Sequence, residues 1–186
     1  MDKKKIEELK EKRILLQEEL RLKTLRDRIS SQLDYLDEFG FDYRVYYEHE
    51  HLDWISKNIP MRKKDGYSGV HDYQIDVNDA LSNYDSVYCH SDNLSFAEIG
   101  EHFLTVLSKE CRLIVCYNGG APEIEISAEV LFSRPSLFFS RPETWMLTKD
   151  KIWIIEYIWE QEVMRFIQLQ NMKPVLVKKI FFLPHP

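Results

Sequence analysis

The chain has 186 residues and a formal net charge of −6, with 25 Lys and Arg against 31 Asp and Glu. Hydrophobic residues at 44% and aromatics at 13% exclude wholesale disorder, and a chain this long builds a core without disulfides or a metal. Only 6 glycines leave little material for glycine-loop chemistry.

Three cysteines, Cys89, Cys111 and Cys116, read as reduced thiols, so a cytoplasmic location is expected. The start, Met1-Asp2-Lys3-Lys4-Lys5, is basic, but no apolar core follows, so no signal peptide is expected. No apolar run approaches the roughly 20 residues of a membrane span.

Charge is unevenly spread. Residues 1–28 carry a net +3, residues 29–110 a net −10 and residues 111–186 a net +1. Two acidic groups stand out in the middle segment. The first holds Asp34, Asp37, Glu38 and Asp42, and continues to Asp53. The second holds Asp72, Asp76, Asp79 and Asp85, and continues to Asp92, with no Lys or Arg between 65 and 108. Such a field steers a basic partner and repels nucleic acid.

In chain order, residues 3 to about 38 read as one helix. It lacks Pro and Gly, and Glu, Lys, Leu, Arg and Gln dominate. Apolar residues fall at Ile6, Leu9, Leu16 and Leu20, then at Leu22, Leu25, Ile29, Leu33 and Leu36. Arg13 and Lys23 interrupt a strict heptad, so a long coiled coil is not expected. The half from Leu22 to Leu36 is expected to dock, and residues 1–20 to project or to pair weakly with a second copy. Gly40 is a stop.

Residues 39–186 read as a single α+β domain, a mostly antiparallel or mixed sheet packed on two or three helices. Phe41–Tyr47 is a strand. His49–Lys57 is a short helix ending before Pro60, and residues 61–69 form a loop. Val77–Tyr84 is a weak helix and Ser86–His90 a short strand. Ser95 and Glu98 fit a capping box, opening a helix with Phe96, Ile99, Phe103 and Leu107 on one face. Arg112–Tyr117, the turn Asn118-Gly119-Gly120 and Glu123–Phe132 make a hairpin, with Ile124, Ile126 and Ala128 on one side. Ser133-Arg134-Pro135 is echoed seven residues on by Ser140-Arg141-Pro142, too briefly for a repeat architecture. Thr144–Leu147 and Lys151–Tyr157 are strands, residues 159–170 favour strand over helix, and Val175–Leu183 is a last strand.

Catalytic and metal motifs are missing. Glu48-His49-Glu50-His51 would place two imidazoles on one face of a strand, but no zinc spacing accompanies it. Cys89 and His90 are adjacent in a strand and point to opposite faces, so they cannot pair as nucleophile and base. No nucleophile elbow or phosphate loop occurs, and the only Gly pair is a hairpin turn. No cofactor is expected.

Three classes of function remain. The first is a non-enzymatic binding protein whose acidic face meets a basic protein partner, such as a toxin domain. Its partner-binding residues would be Asp34, Asp37, Glu38, Asp42, Asp72, Asp76, Asp79 and Asp85. The general look is similar to that of many toxin-neutralising immunity proteins, an analogy of type that rests on no shared motif. The second is a small-molecule binder or enzyme using an aromatic C-terminal pocket (Phe138, Phe139, Trp145, Trp153, Tyr157, Trp159) with acidic residues. The third is an assembly protein organised by the N-terminal helix.

Overall fold

A hairpin around Asn118–Gly120 joins two central strands of the architecture. Gly119 and Gly120 both take positive φ, 89° and 78°, which side chains with a Cβ adopt at a cost, and Asn118 Oδ1 accepts from the Gly119 amide at 2.9 Å. The flanking strands β5 (Arg112–Tyr117) and β6 (Glu123–Ser127) pair antiparallel, Val115 with Ile124 and Leu113 with Ile126. The computed structural model describes residues 3–63, 73–76, 85–90, 104, 107–141, 144–158 and 163–169. For 3, 4, 62, 63, 73, 85–90, 158, 163–166 and 168 it describes the backbone alone. The weak helix expected at Val77–Tyr84, the helix opened by the Ser95 capping box except for Leu104 and Leu107, and the strand expected at Val175–Leu183 lie outside the described residues.

The other described strands are β1 (Arg44–Tyr46), β2 (Met61–Lys63), β3 (Tyr73–Ile75), β4 (Asp85–His90), β7 (Thr144–Thr148), β8 (Trp153–Ile158) and β9 (Val163–Gln168). Seven of the nine form one sheet, in the order β1-β6-β5-β7-β8-β9-β4, antiparallel at every junction; β2 and β3 make a separate antiparallel ribbon. The helices are α1 (Lys3–Asp27), α2 (Ser30–Glu38), α3 (Glu50–Asn58), α4 (Ala128–Ser133) and α5 (Pro135–Phe138). The fold is therefore α+β, with a long N-terminal helix ahead of an antiparallel sheet.

Strand alternation sends side chains to two faces, and both are covered. On one face Leu113, Val115, Tyr117, Ile124, Ile126, Met146 and Ile155 pack under Ile29, Leu33 and Leu36 of the α2 segment and residues of α4 and α5. On the other, Ile114, Cys116, Trp145, Leu147, Ile154 and Ile167 pack under Ile55 of α3, Ile59 just after it and Ile75 of β3.

Three expectations need correction. The N-terminal helix is two helices: Arg28 and Ile29 form a turn whose amides reach back three residues, to Leu25 and Arg26, at 3.1 Å. Ser30-Ser31 competes poorly for helix, and Ile29 is wholly buried. The strand expected at Glu123–Phe132 stops at Ser127, whose hydroxyl accepts from the Val130 amide and caps α4. Residues 61–63, expected in a loop, form β2.

Candidate functional site

The acidic residues come first. Asp34, Asp37 and Glu38 lie exposed along the outer face of α2, opposite the buried Leu33 and Leu36. Asp42 is exposed in the turn that follows. Asp37 accepts from the Tyr43 hydroxyl at 2.7 Å and lies 4.0 Å from Arg26. That bond, with burial behind it, pushes the Tyr43 phenol up from its ordinary value. Asp42 pairs with Arg112 at 3.1 Å. Asp34 and Glu38 make no hydrogen bond or ion pair among the described residues. Asp76 is half-buried after β3, in the layer on the opposite face of the sheet, and its amide donates to the Pro60 carbonyl at 2.8 Å. Asp85 opens β4 in register with Gln168, its side chain undescribed. Asp72 and Asp79 lie outside the described residues. The structure thus sets Asp34, Asp37 and Glu38 on one face of α2, holds Asp42 in the following turn against Arg112, and places Asp76 in the other layer.

Among the described residues three other carboxylates are buried, all on the α3 face of the sheet: Glu123, Glu125 and Glu156. Glu123 Oε1 accepts from the Leu52 amide at 2.7 Å, and Oε2 lies 3.3 Å from the His51 amide and 2.6 Å from His51 Nδ1. With the carboxylate ionised, the ring nitrogen donates. Glu123 therefore caps the first turn of α3 from another strand, a charge-assisted use of its free amides. Burial, and then the neighbouring Glu123, push the Cys116 thiol far up. Glu125 accepts from the Tyr46 hydroxyl at 2.6 Å and from Arg112 and Lys149, each at 3.1 Å. Burial works to raise its carboxyl, but those three bonds outweigh it and hold it below the usual carboxylate range. Glu156 Oε1 accepts from the Ile75 amide at 2.8 Å and from Trp145 Nε1 at 3.2 Å. These groups fasten elements together.

The histidine pair sits at the start of the expected short helix, His49 before α3 and His51 inside it, so the two do not share a strand face. No group of three His, Cys, Asp or Glu side chains able to hold a metal occurs among the described residues. The aromatic side chains divide between faces. Trp145 packs on the α3 side, whereas Phe138, Phe139 and Tyr157 pack on the α2 side.

A basic cleft lies where the α1–α2 break meets α5. Arg28, Arg134 and Arg141 line it with Gln32, Ser136 and Ser140, around about 380 Å³. Arg28 Nη1 donates to the Gly119 and Gly120 carbonyls, at 3.0 and 3.2 Å, so the hairpin turn sets its position. Arg141 donates to the Arg28 carbonyl. The only hint of this cleft in the sequence is the Ser-Arg-Pro echo, which supplies two of its arginines.

No family model of known proteins matches the chain, and no curated protein matches it. No helix among the described residues is long and apolar enough to cross a membrane.

Proposed function

We propose that the chain is a non-enzymatic binding protein that meets a basic protein partner, such as a toxin domain, through the acidic outer face of α2 and the turn after it. One observation carries the reading. Asp34, Asp37 and Glu38 are exposed on a helix whose opposite side is seated in the core by Leu33 and Leu36, and Asp42 is exposed in the turn that follows. Carboxylates on a rigidly packed helix need little further ordering on binding, and their field favours fast encounter with a cation-rich surface. Asp34 and Glu38, without partners among the described residues, contribute most of that field. The fastening roles of Glu123, Glu125 and Glu156 support a binding protein over an enzyme.

The test uses a basic protein encoded beside this chain, with stopped-flow association at two salt concentrations. The double variant Asp34→Lys, Glu38→Lys should slow association by about tenfold or more, flatten its salt dependence and change dissociation little. An unchanged association rate removes α2 from the interface. The same measurement on Asp72→Lys, Asp76→Lys and Asp79→Lys together assigns or removes the second acidic group.

A further inference from the structure

We infer that the cleft between the α1–α2 break and α5 binds a small organic phosphate of the phosphorylated-polyol class. Three arginines, Arg28, Arg134 and Arg141, line it, and no carboxylate among the described residues does. None of the three forms an ion pair among the described residues, whereas Arg21, Arg26 and Arg112 each find a carboxylate. In an acidic chain, three arginines without a carboxylate partner among the described residues form around this cleft a local field of the opposite sign, which an anion would offset.

The guanidinium groups are held before any ligand arrives. Arg28 is tied to two hairpin carbonyls, and Arg141 is tied to the Arg28 carbonyl. Arg141 also lies over the Tyr117 ring, 5.4 Å from its centroid, and Arg134 over Tyr35 at 5.1 Å. Each guanidinium has five N–H donors, so these contacts leave donors free for the forked recognition of a phosphate. Beside Arg141, the Tyr117 hydroxyl is wholly buried, with the Gln32 side chain and the Arg141 guanidinium as its polar neighbours.

The rest of the lining sets the ligand class. Ser31, Ser136 and Ser140 supply hydroxyls, and Gln32 is fixed by its donation to the Leu137 carbonyl at 2.9 Å and to Ser140 Oγ at 3.3 Å. Leu137 is the one apolar residue in this lining, which suits hydroxyl groups better than a nucleobase or an acyl chain. The volume, about 380 Å³, lies in the range of small-molecule sites, roughly 300–1,000 Å³. A nucleic-acid strand would have to pass the exposed carboxylates of Asp34, Asp37 and Glu38 on the same helix, which favours a small ligand.

Calorimetric titration of the full chain at fixed ionic strength tests the inference, with glucose 6-phosphate, inorganic phosphate, glucose and a single-stranded oligonucleotide as probes. Glucose 6-phosphate should bind saturably, inorganic phosphate about tenfold more weakly, and glucose not at all. Arg134→Gln and Ser136→Asp alter exposed side chains, so both should keep the wild-type unfolding temperature and lose about tenfold or more in affinity. No saturable binding of either phosphate below about 10 mM overturns the site. Equal affinity for phosphate and the sugar phosphate overturns the polyol class, tighter binding of the oligonucleotide overturns the small ligand, and unchanged affinity in both variants overturns the location.

Discussion

Glu123 is wholly buried, yet its partners belong to a helix in a different layer. Glu123→Ala should lower stability by about 3 kcal/mol, because two amides and an imidazole N–H lose a charged acceptor where little water can replace it. Glu123→Gln keeps one acceptor oxygen for the Leu52 amide and should cost less; urea unfolding of the two variants checks the order. Glu125 supplies a pH dependence. Its carboxyl is held low, so its contribution is complete above the unfolded value of about 4.3 and disappears as pH falls through the lower folded value. Glu125→Gln should therefore be less stable than wild type at neutral pH, with the gap closing in acid, as thermal melts across the range would read. Cys116 should resist alkylation until the protein unfolds, because it is buried and its thiol is pushed far up; mass spectrometry of the labelled peptide reports this. The Glu-Ile-Glu-Ile alternation of β6 shows in the sequence which side holds the isoleucines. It does not show that the glutamate side is covered too, because the covering residues Leu52, Ile55 and Ile59 are remote along the chain.

At the scale of elements, local signals carried far. The Asn-Gly-Gly turn, the strand at Arg112–Tyr117 and the helix before Pro60 were all readable, because each rests on turn chemistry or on periodicity within a few residues. The break between α1 and α2 was not, since helix propensity is high on both sides and the contacts that hold it open, from Arg28 to Gly119 and Gly120, are tertiary. The end of β6 at Ser127 was missed because Ala-Glu-Val-Leu-Phe continues an apolar pattern that suits either state. From Lys5 to Arg21 every α1 side chain is exposed except the half-exposed Ile6, with Leu9 at 54% and Leu15 at 69%. Deleting residues 2–19 should therefore change domain stability by no more than about 0.5 kcal/mol in chemical denaturation. Sedimentation of the same variant tests the proposed weak pairing through this helix, which predicts a mass that falls by half; loss of cooperative unfolding would place those turns in the core.

Across the whole molecule, the sheet order was the least legible property. The α+β class follows from counting elements, but β5 lies beside β7 only because α4 and α5 carry the chain from β6 past β5, and nothing local encodes that neighbour. The cleft is hidden in the same way. Its arginines come from the α1–α2 break and from either side of α5, and only the topology gathers them. The layer of α3 and the β2–β3 ribbon is bound to the sheet by isoleucine packing and by two buried carboxylates, Glu123 at the start of α3 and Glu156 at the Ile75 amide of β3. Two polar rivets on one removable plate make that plate a separate unit of opening, since both must let go before its amides meet solvent. Hydrogen exchange should show the amides of Leu52 and Ile75 exchanging together and ahead of Ile114 and Val115 in the central strand, with Glu123→Gln accelerating the first pair and leaving the second at the global rate.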